Sequence, residues 1–219
     1  MKRDRQGTLK ETFEDLKQMS WPDRWNHIWT YYYLWIIAFV FLVIMGVEVG
    51  KIIHNARLQL LQSGMLVNAE LTEEMEAHMT DGLLDYAGLS PKKYKAEIAQ
   101  QNYTGRTEED VTAYYTEIGI MARISAEDLD YMLLDQLAYD AFLQGEYFLD
   151  LRELADGGTL AEWEDLLLYR EEVPIGIRVN ETEIGQRFLP EEDYFLLFIQ
   201  NSPRKEEMQT LLSFFGLLS

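Results

Sequence analysis

The chain contains no cysteine, and this single absence excludes several kinds of chemistry. Without thiols there is no disulfide framework, no thiolate nucleophile, no cysteine-ligated zinc and no lipid-modified cysteine anchor. Histidine is scarce too: only His27, His54 and His78 occur, and no two of them have the i, i+4 spacing of a helical metal site. We therefore expect no metal and no other cofactor, and any membrane anchor must be built from the chain itself.

Basic residues are also scarce, and the shortage is uneven. The chain has 19 Lys and Arg against 38 Asp and Glu. Residues 1–27 carry six basic and five acidic side chains, whereas residues 48–219 carry 13 and 33. A surface this acidic repels phosphate backbones, so nucleic acid is not an expected partner. The acid excess is typical of a solvated surface, and a site for cations or basic peptides is the alternative.

One stretch lacks charge altogether. Residues 28–47, IWTYYYLWIIAFVFLVIMGV, include no Asp, Glu, Lys or Arg over twenty positions. A helix of this length, at about 1.5 Å per residue, spans the roughly 30 Å hydrocarbon core of a bilayer. A buried core helix would usually be shorter and have a polar face, and a cleaved signal peptide would have a shorter leader and an A-x-A site. We predict a transmembrane helix over residues 28–50, with the lipid bilayer as its partner.

Aromatic side chains and charge predict how this helix sits in the membrane. Tryptophan and tyrosine favour the headgroup region, and basic residues favour the cytoplasmic side. Basic residues are more frequent before the helix than just after it, so the pattern predicts a cytoplasmic tail (1–27), a transmembrane helix (28–50), a linker (51–57) and an extracellular domain (58–219). The expected interface anchors are Trp21, Trp25, Trp29, Tyr31, Tyr32, Tyr33 and Trp35.

Beyond the linker, extended and helical patterns alternate, which favours an α/β domain with a mainly parallel sheet. Extended runs are expected at 58–67, 94–98, 131–134, 173–179 and 194–199, and helices at 72–86, 136–144 and after a capping-box pattern at 107–110. In the last of these helices Val111, Tyr115, Ile118 and Ala122 recur at helical spacing. The closing helix is expected to begin at Ser202 and Pro203, to bury Met208, Leu211, Leu212 and Phe215, and to end at Gly216.

Residues 126–154, AEDLDYMLLDQLAYDAFLQGEYFLDLREL, resemble the extracellular solute-binding proteins of ABC importers. In that family an acidic strand end is followed by a helix, a glycine and an aromatic-Leu-Asp-Leu segment. The later segments VPIGIRV and DYFLLFIQNSPRKEEMQTLLSFF are similar to the family's strand, Asn-Ser and closing helix. The membrane-anchored start is similar to single-pass proteins of Gram-positive bacteria that carry such a domain outside the cell. The resemblance implies a periplasmic-binding-protein-like fold over roughly residues 60–219.

The spacing of these segments leaves room for one lobe only. A two-lobed receptor buries its solute by hinge closure, and a single lobe offers an open face instead. Residues 155–172 are expected to form a turn at Gly157 and Gly158 and then one helix, Leu160 to Tyr169. That helix would cover the sheet edge or offer an apolar patch to a partner. We therefore expect a truncated, single-lobe relative that is not an enzyme. It would be an accessory or scaffolding module for a membrane transporter or another envelope complex, with a low-affinity solute receptor as the alternative.

Ligand sites in α/β folds lie at the carboxyl ends of strands and at helix N-termini. This rule selects Asn68 and Glu70 after the first strand, and Asp135 and Tyr139 after YMLL, as ligand-binding candidates. The alternative is that Asp135 is a helix N-cap and Asn68 a turn residue. The high negative charge predicts that the outer domain is monomeric.

Overall fold

A computed structural model describes residues 20–105, 111–143 and 145–218, and the chain divides into two compact units between Arg57 and Leu58. The described part of the first unit is helix α1, Trp21–Asn55, which opens with a 2.5 Å hydrogen bond from the Ser20 hydroxyl to Asp23. The helix thus continues through most of the predicted linker. The expected capping box at 107–110 and most of the N-terminal tail lie outside the described residues.

Helix α1 contains one stretch that is long and apolar enough to cross a membrane. It runs over 22 residues, Tyr32–Ile53, and the protein buries none of it. This confirms the prediction of an N-terminal helix with the dimensions of a membrane span. The side chain of Tyr31 lies outside the described part. The other expected anchors all lie on α1 with exposed side chains, namely Trp21, Trp25, Trp29, Tyr32, Tyr33 and Trp35.

The second unit is built on a six-stranded sheet in the order β2-β1-β3-β6-β5-β4. Strand β1 pairs in parallel with β2 and with β3, but the β3–β6, β6–β5 and β5–β4 pairs are antiparallel. The sheet is therefore mixed, and the expectation of a mainly parallel sheet was wrong. The strands are β1 Gln59–Val67, β2 Tyr94–Gln101, β3 Tyr131–Asp135, β4 Leu167–Arg170, β5 Val173–Arg178 and β6 Tyr194–Phe198.

The helices of this unit are short, and one is interrupted. Helix α2, Glu73–Ala77, passes through a π turn, His78–Gly82, into α3, Leu83–Tyr86. The Thr72 hydroxyl caps it by accepting from the Met75 N–H, as predicted. The remaining helices are α4 Val111–Ser125, α5 Gln136–Phe142, α6 Gly157–Glu162, α7 Glu183–Phe188 and α8 Met208–Phe214, with single 3₁₀ turns at Leu151–Glu153 and Lys205–Glu207.

Residues 155–172 differ from their prediction. Asp156 caps α6 by accepting from the Thr159 N–H, so Gly157 and Gly158 begin a helix instead of forming a turn. The expected helix Leu160 to Tyr169 is helical only as far as Glu162, and its last three residues belong to edge strand β4, which joins β5 through a tight hairpin. Two-residue connections can join only antiparallel neighbours, which explains why this end of the sheet is antiparallel.

Both faces of the sheet are covered by helices, which gives three layers. One face packs against α2, α3, α7 and α8, and the other against α4 and α5. On α8 the predicted stripe is confirmed: Met208, Leu211, Leu212 and Phe215 are all buried, and Gly216 has φ +73. The start of that helix was predicted wrongly, because the first helical turn is the 3₁₀ turn Lys205–Glu207. The Ser202 hydroxyl precedes it, accepting from the Arg204 N–H at 3.0 Å and donating to buried Asp130 at 2.5 Å.

The most apolar repeat of helix α4 lies on its exposed face, and a different set of residues is buried. Its buried residues are Ala113, Glu117, Ile120 and Ile124. The repeat noted in the sequence, Val111, Tyr115, Ile118 and Ala122, lies on the exposed face. An apolar stripe at helical spacing therefore remains uncovered in this domain.

Candidate functional site

The carboxyl ends of β1 and β3 lie side by side at the point where the chain's connections diverge. From β1 the chain crosses through α2 and α3 to β2, on one face of the sheet, and returns from β2 through α4 on the other face to β3. Such a switch point is where open α/β sheets bind ligands. Asn68 follows β1 and Asp135 ends β3, so both lie at carboxyl ends of strands, next to this switch point.

At the switch point these two side chains bind each other. The Asn68 amide donates to Asp135 Oδ2 at 2.9 Å, and its carbonyl oxygen accepts from the Tyr103 N–H at 2.6 Å. The other oxygen of Asp135 accepts from the Ala138 N–H at 2.9 Å, which caps α5. Asn68 also has φ +63, a turn conformation that asparagine tolerates better than most residues. The geometry thus gives Asp135 an N-cap role and Asn68 a turn role.

The network continues away from the sheet through two residues that the sequence did not identify. The Tyr103 hydroxyl donates to Glu117 Oε1 at 2.8 Å, and both side chains are buried. This bond holds a carboxylate of α4 inside the domain. In the sequence, the only indication of this bond is an acidic residue on an otherwise apolar helix face.

The other two candidates lie apart from this network. Glu70 is exposed two residues beyond Asn68. Tyr139 is buried on α5 with its ring 5.3 Å from that of Phe195. Burial, with Asp140 nearby, raises the pKa of Tyr139 above its usual value, so its hydroxyl stays protonated. The structure brings Asn68 and Asp135 together and leaves Glu70 and Tyr139 outside their contact.

An acidic groove opens beside the switch point. Its volume is about 450 Å³, and its lining is Asp135, Gln136, Leu137, Asp140, Glu192 and Asp193. Burial, reinforced by Asp135 and Glu192, raises the pKa of the neighbouring Tyr194 to about 12. Among the residues the structure describes, no three His, Asp or Glu side chains are arranged to hold a metal ion.

A second groove, with different chemistry, lies where the π turn faces α7 and α8. We call it the aromatic groove; its volume is about 580 Å³. Its aromatic lining includes His78, Tyr86 and Phe214. The His78 ring lies 5.0 Å from the ring of Phe214 and 5.2 Å from that of Phe188, which lies beside the groove. Tyr86 meets Phe214 edge-on at 5.5 Å. The aromatic rings of three separate elements thus form one continuous surface.

Charged residues also line this groove, namely Arg178, Glu181 and Glu183, and a further ion pair lies beside it. The Arg187 guanidinium lies 4.9 Å above the Phe188 ring and pairs with Glu74 at 2.5 Å. Burial, with Arg187 nearby, lowers the pKa of His78 below its usual value, against the opposing effect of Glu183 and Glu74. The imidazole is therefore uncharged at neutral pH. π turns occur often at functional sites, but neither this turn nor the groove could be predicted from spacing alone.

No family model, curated protein or solved structure matches this chain. The resemblance to solute-binding proteins therefore stays a prediction. Function has to be inferred from the two grooves, the switch point and the N-terminal helix.

A third cluster of polar residues lies at the opposite end of β3 and holds the fold together. The Asp130 carboxylate is fully buried and accepts from the Ser63 N–H at 2.6 Å and from Arg204 Nε at 2.7 Å, in addition to the Ser202 hydroxyl. Arg204 also donates to the Glu127 carbonyl at 3.2 Å. These bonds tie the segment before α8 to β1 and β3. This role of Asp130 could not be predicted from the residues around it in the sequence.

Proposed function

We propose that this chain is a membrane-tethered, non-enzymatic binding module that serves as an accessory or scaffolding subunit of a transporter or another envelope complex. The helix Tyr32–Ile53 supports the tether. The excess of Lys and Arg before that helix supports a cytoplasmic N-terminus and a domain outside. Under this proposal the domain of residues 58–219 meets its partner at the outer surface of the membrane.

The observation that carries the proposal is the closed switch point. In a receptor for small solutes, convergent polar groups at this position are left available for the ligand. In this domain the Asn68 amide and both oxygens of Asp135 are engaged in hydrogen bonds within the protein. Freeing these side chains for a solute would break hydrogen bonds that contribute about 0.5–1.5 kcal/mol each to stability. A module that displays a surface fits this arrangement better than one that encloses a solute.

The aromatic groove is the surface that we assign to the partner. Its lining rings His78 and Phe214 are uncharged and partly exposed, and Tyr86 is 54% exposed at its rim. Apolar aromatic floors with charged rims resemble the energetically dominant centres of protein interfaces. The tether restricts the occupant to proteins of the same membrane. The proposed partner is therefore a membrane protein that inserts an apolar side chain between these rings.

Co-purification of the full-length protein from membranes of the cells that produce it tests this proposal. A membrane protein should be recovered in stoichiometric amount, and Tyr86→Ala should reduce that amount about tenfold if the rim residue contributes roughly 1.4 kcal/mol. Tyr169→Ala is the matched control, because Tyr169 is similarly exposed, at 47%, but lies on β4 outside the groove. Equal recovery with both variants, or no partner at all, would contradict the assignment of this groove.

A low-affinity solute receptor is the second candidate function, and the size of the aromatic groove favours it. A volume of about 580 Å³ lies within the range of about 300–1,000 Å³ that is usual for small-molecule sites. Thermal-shift screening against amino acids, peptides, sugars and polyamines separates the two functions. A ligand at 100 times its dissociation constant adds about 2.7 kcal/mol to stability. Saturable stabilisation by one solute, lost in the Asp135→Ala or Tyr86→Ala variant, would favour the receptor over the accessory module.

A further inference from the structure

The exposed stripe of α4 consists of Val111, Tyr115, Ile118 and Ala122. The first three side chains are 67%, 68% and 44% exposed. The steps between the four residues are four, three and four, which is the alternation of a coiled-coil seam. At about 100° per residue these positions share an arc of roughly 60° on the helix. The stripe therefore forms one straight ridge, opposite the face that packs on the sheet.

This face of α4 differs in charge from the rest of the domain. The helix contains two charged residues, Glu117 and Arg123. Glu117 is buried against Tyr103, and Arg123 lies at the side of the helix beside Asp128 and Ser63. Residues 48–219 carry 33 acidic against 13 basic side chains, so most other surfaces of two copies would repel each other. Within residues 111–125 the stripe itself therefore carries no charged side chain.

The order of residues along the stripe is self-complementary. In an antiparallel pair with its two-fold axis midway between residues 116 and 117, Tyr115 of one copy faces Ile118 of the other. Val111 then faces Ala122. Each large side chain thus meets a smaller one across an isologous contact, which is the arrangement that a two-fold interface requires. A parallel pair would instead place Tyr115 against Tyr115.

We propose that two copies of this chain, anchored in the same membrane, pair through antiparallel contact of their α4 stripes. Four side chains bury much less than the roughly 800 Å² per partner of a standard stable interface. Confinement to one membrane compensates, because tethering raises the effective concentration into the millimolar range. The pairing rests on the proposed tether but is independent of the aromatic groove. It is also compatible with a separated domain that is monomeric at micromolar concentration.

Single-cysteine crosslinking in the full-length protein tests the pairing, since the natural chain has no cysteine to interfere. With a short bismaleimide in native membranes, Ile118→Cys should crosslink to itself. The yield should be about tenfold or more above that of Leu137→Cys, a matched control 48% exposed on α5. Val111→Cys should not crosslink to itself, because the two copies of that residue lie about 16 Å apart along an antiparallel pair. Differently tagged Val111→Cys and Ala122→Cys proteins, expressed together, should crosslink.

Three results would overturn the pairing. Self-crosslinking of Val111→Cys at the level of Ile118→Cys would indicate a parallel arrangement. Crosslinking of the stripe to a different protein would give it another occupant. Equal, low yields for the Ile118→Cys and Leu137→Cys proteins would show no pairing at all. Fractionation of the same cells reports membrane insertion separately, so failure of the tether and failure of the pairing are distinguishable.

Discussion

Replacing Arg204 by Met should destabilise the domain strongly, because it removes one partner of a buried ion pair. The side chain of Arg204 is 18% exposed and that of Asp130 is 0% exposed, with 2.7 Å between Nε and Oδ2. Breaking a buried pair from one side leaves an uncompensated buried charge and typically costs about 3–5 kcal/mol. Asp130 would keep the Ser63 N–H and the Ser202 hydroxyl as donors, so we expect a loss near the lower limit, about 3 kcal/mol.

The same substitution at an exposed ion pair provides the control. Arg187 pairs with Glu74, but the two side chains are 51% and 67% exposed. Exposed pairs contribute about 0–1 kcal/mol, and the stacking of Arg187 on Phe188 adds at most about 1 kcal/mol. Arg187→Met should therefore cost clearly less than Arg204→Met.

Urea unfolding of the separated domain, residues 56–219, measures both variants. Trp163 is the only tryptophan in that fragment, and it is buried with its indole N–H donating to the Leu217 carbonyl at 3.1 Å. Its fluorescence should therefore report unfolding of the region around α8. A cost below about 1 kcal/mol for Arg204→Met, or equal costs for the two variants, would refute the view that Asp130 holds the C-terminal segment to the sheet.

Three further predictions concern single positions. His78, the only histidine of the separated domain, should titrate by NMR below the usual value of about 6.5. Because the pKa of His78 is lower in the folded state than in the unfolded state, the stability of the domain should fall as the pH drops below about 6.5. The His78→Phe variant should lack the part of this fall that comes from His78. A titration midpoint of His78 above 7 would contradict this prediction. Gly64→Ala should cost about 1–3 kcal/mol of stability, since an added Cβ would lie 2.1 Å from the ring of Tyr131. At Gly119 an added Cβ would have nothing within 4 Å, so Gly119→Ala should stabilise the domain by about 0.5–1 kcal/mol. Equal effects of the two variants in urea unfolding would rule out the tight contact at Gly64. Phe215→Ala should cost about 3–5 kcal/mol, and a loss under about 1 kcal/mol would mean that the closing helix is peripheral.

The helix α4 shows what periodicity in a sequence can and cannot decide. The stripe Val111, Tyr115, Ile118 and Ala122 is the more apolar of two stripes on this helix, yet it faces outward. The buried stripe contains Glu117, whose carboxylate is satisfied by the hydroxyl of Tyr103, fourteen residues earlier. The Tyr103 hydroxyl, which the tertiary structure brings to Glu117, allows the stripe with this acidic residue to face the core. The local sequence pattern of α4 does not show that this partner exists.

The direction of the strands was equally inaccessible. The segments Tyr131–Asp135 and Tyr194–Phe198 are both buried at every position, so each reads as a central strand of a covered sheet. They are nevertheless antiparallel to each other. The apolar composition of each strand indicates that both of its faces are buried. Whether the two strands run parallel or antiparallel depends on the path of the chain that connects them.

The two candidate sites differ in the same way. Asn68 and Asp135 could be placed at the switch point because both follow apolar runs whose strands end together. The aromatic groove combines His78 and Phe214, with Phe188 in contact with His78 beside it, from three elements that are far apart in the sequence. Its assembly depends on the packing of α7 and α8 beside the π turn, which spacing along the chain does not show.

The central claim is that the domain is tethered outside the cytoplasmic membrane by the helix of residues 21–55. Single cysteines at Lys10 and at exposed Leu137, each introduced into the full-length chain, test it directly because no other thiol is present. The account predicts that both proteins fractionate with membranes. A membrane-impermeant maleimide added to intact cells should then label Leu137→Cys, and Lys10→Cys only after lysis. Labelling of Lys10→Cys in intact cells, protection of Leu137→Cys, or recovery of the protein in the soluble fraction would contradict the account.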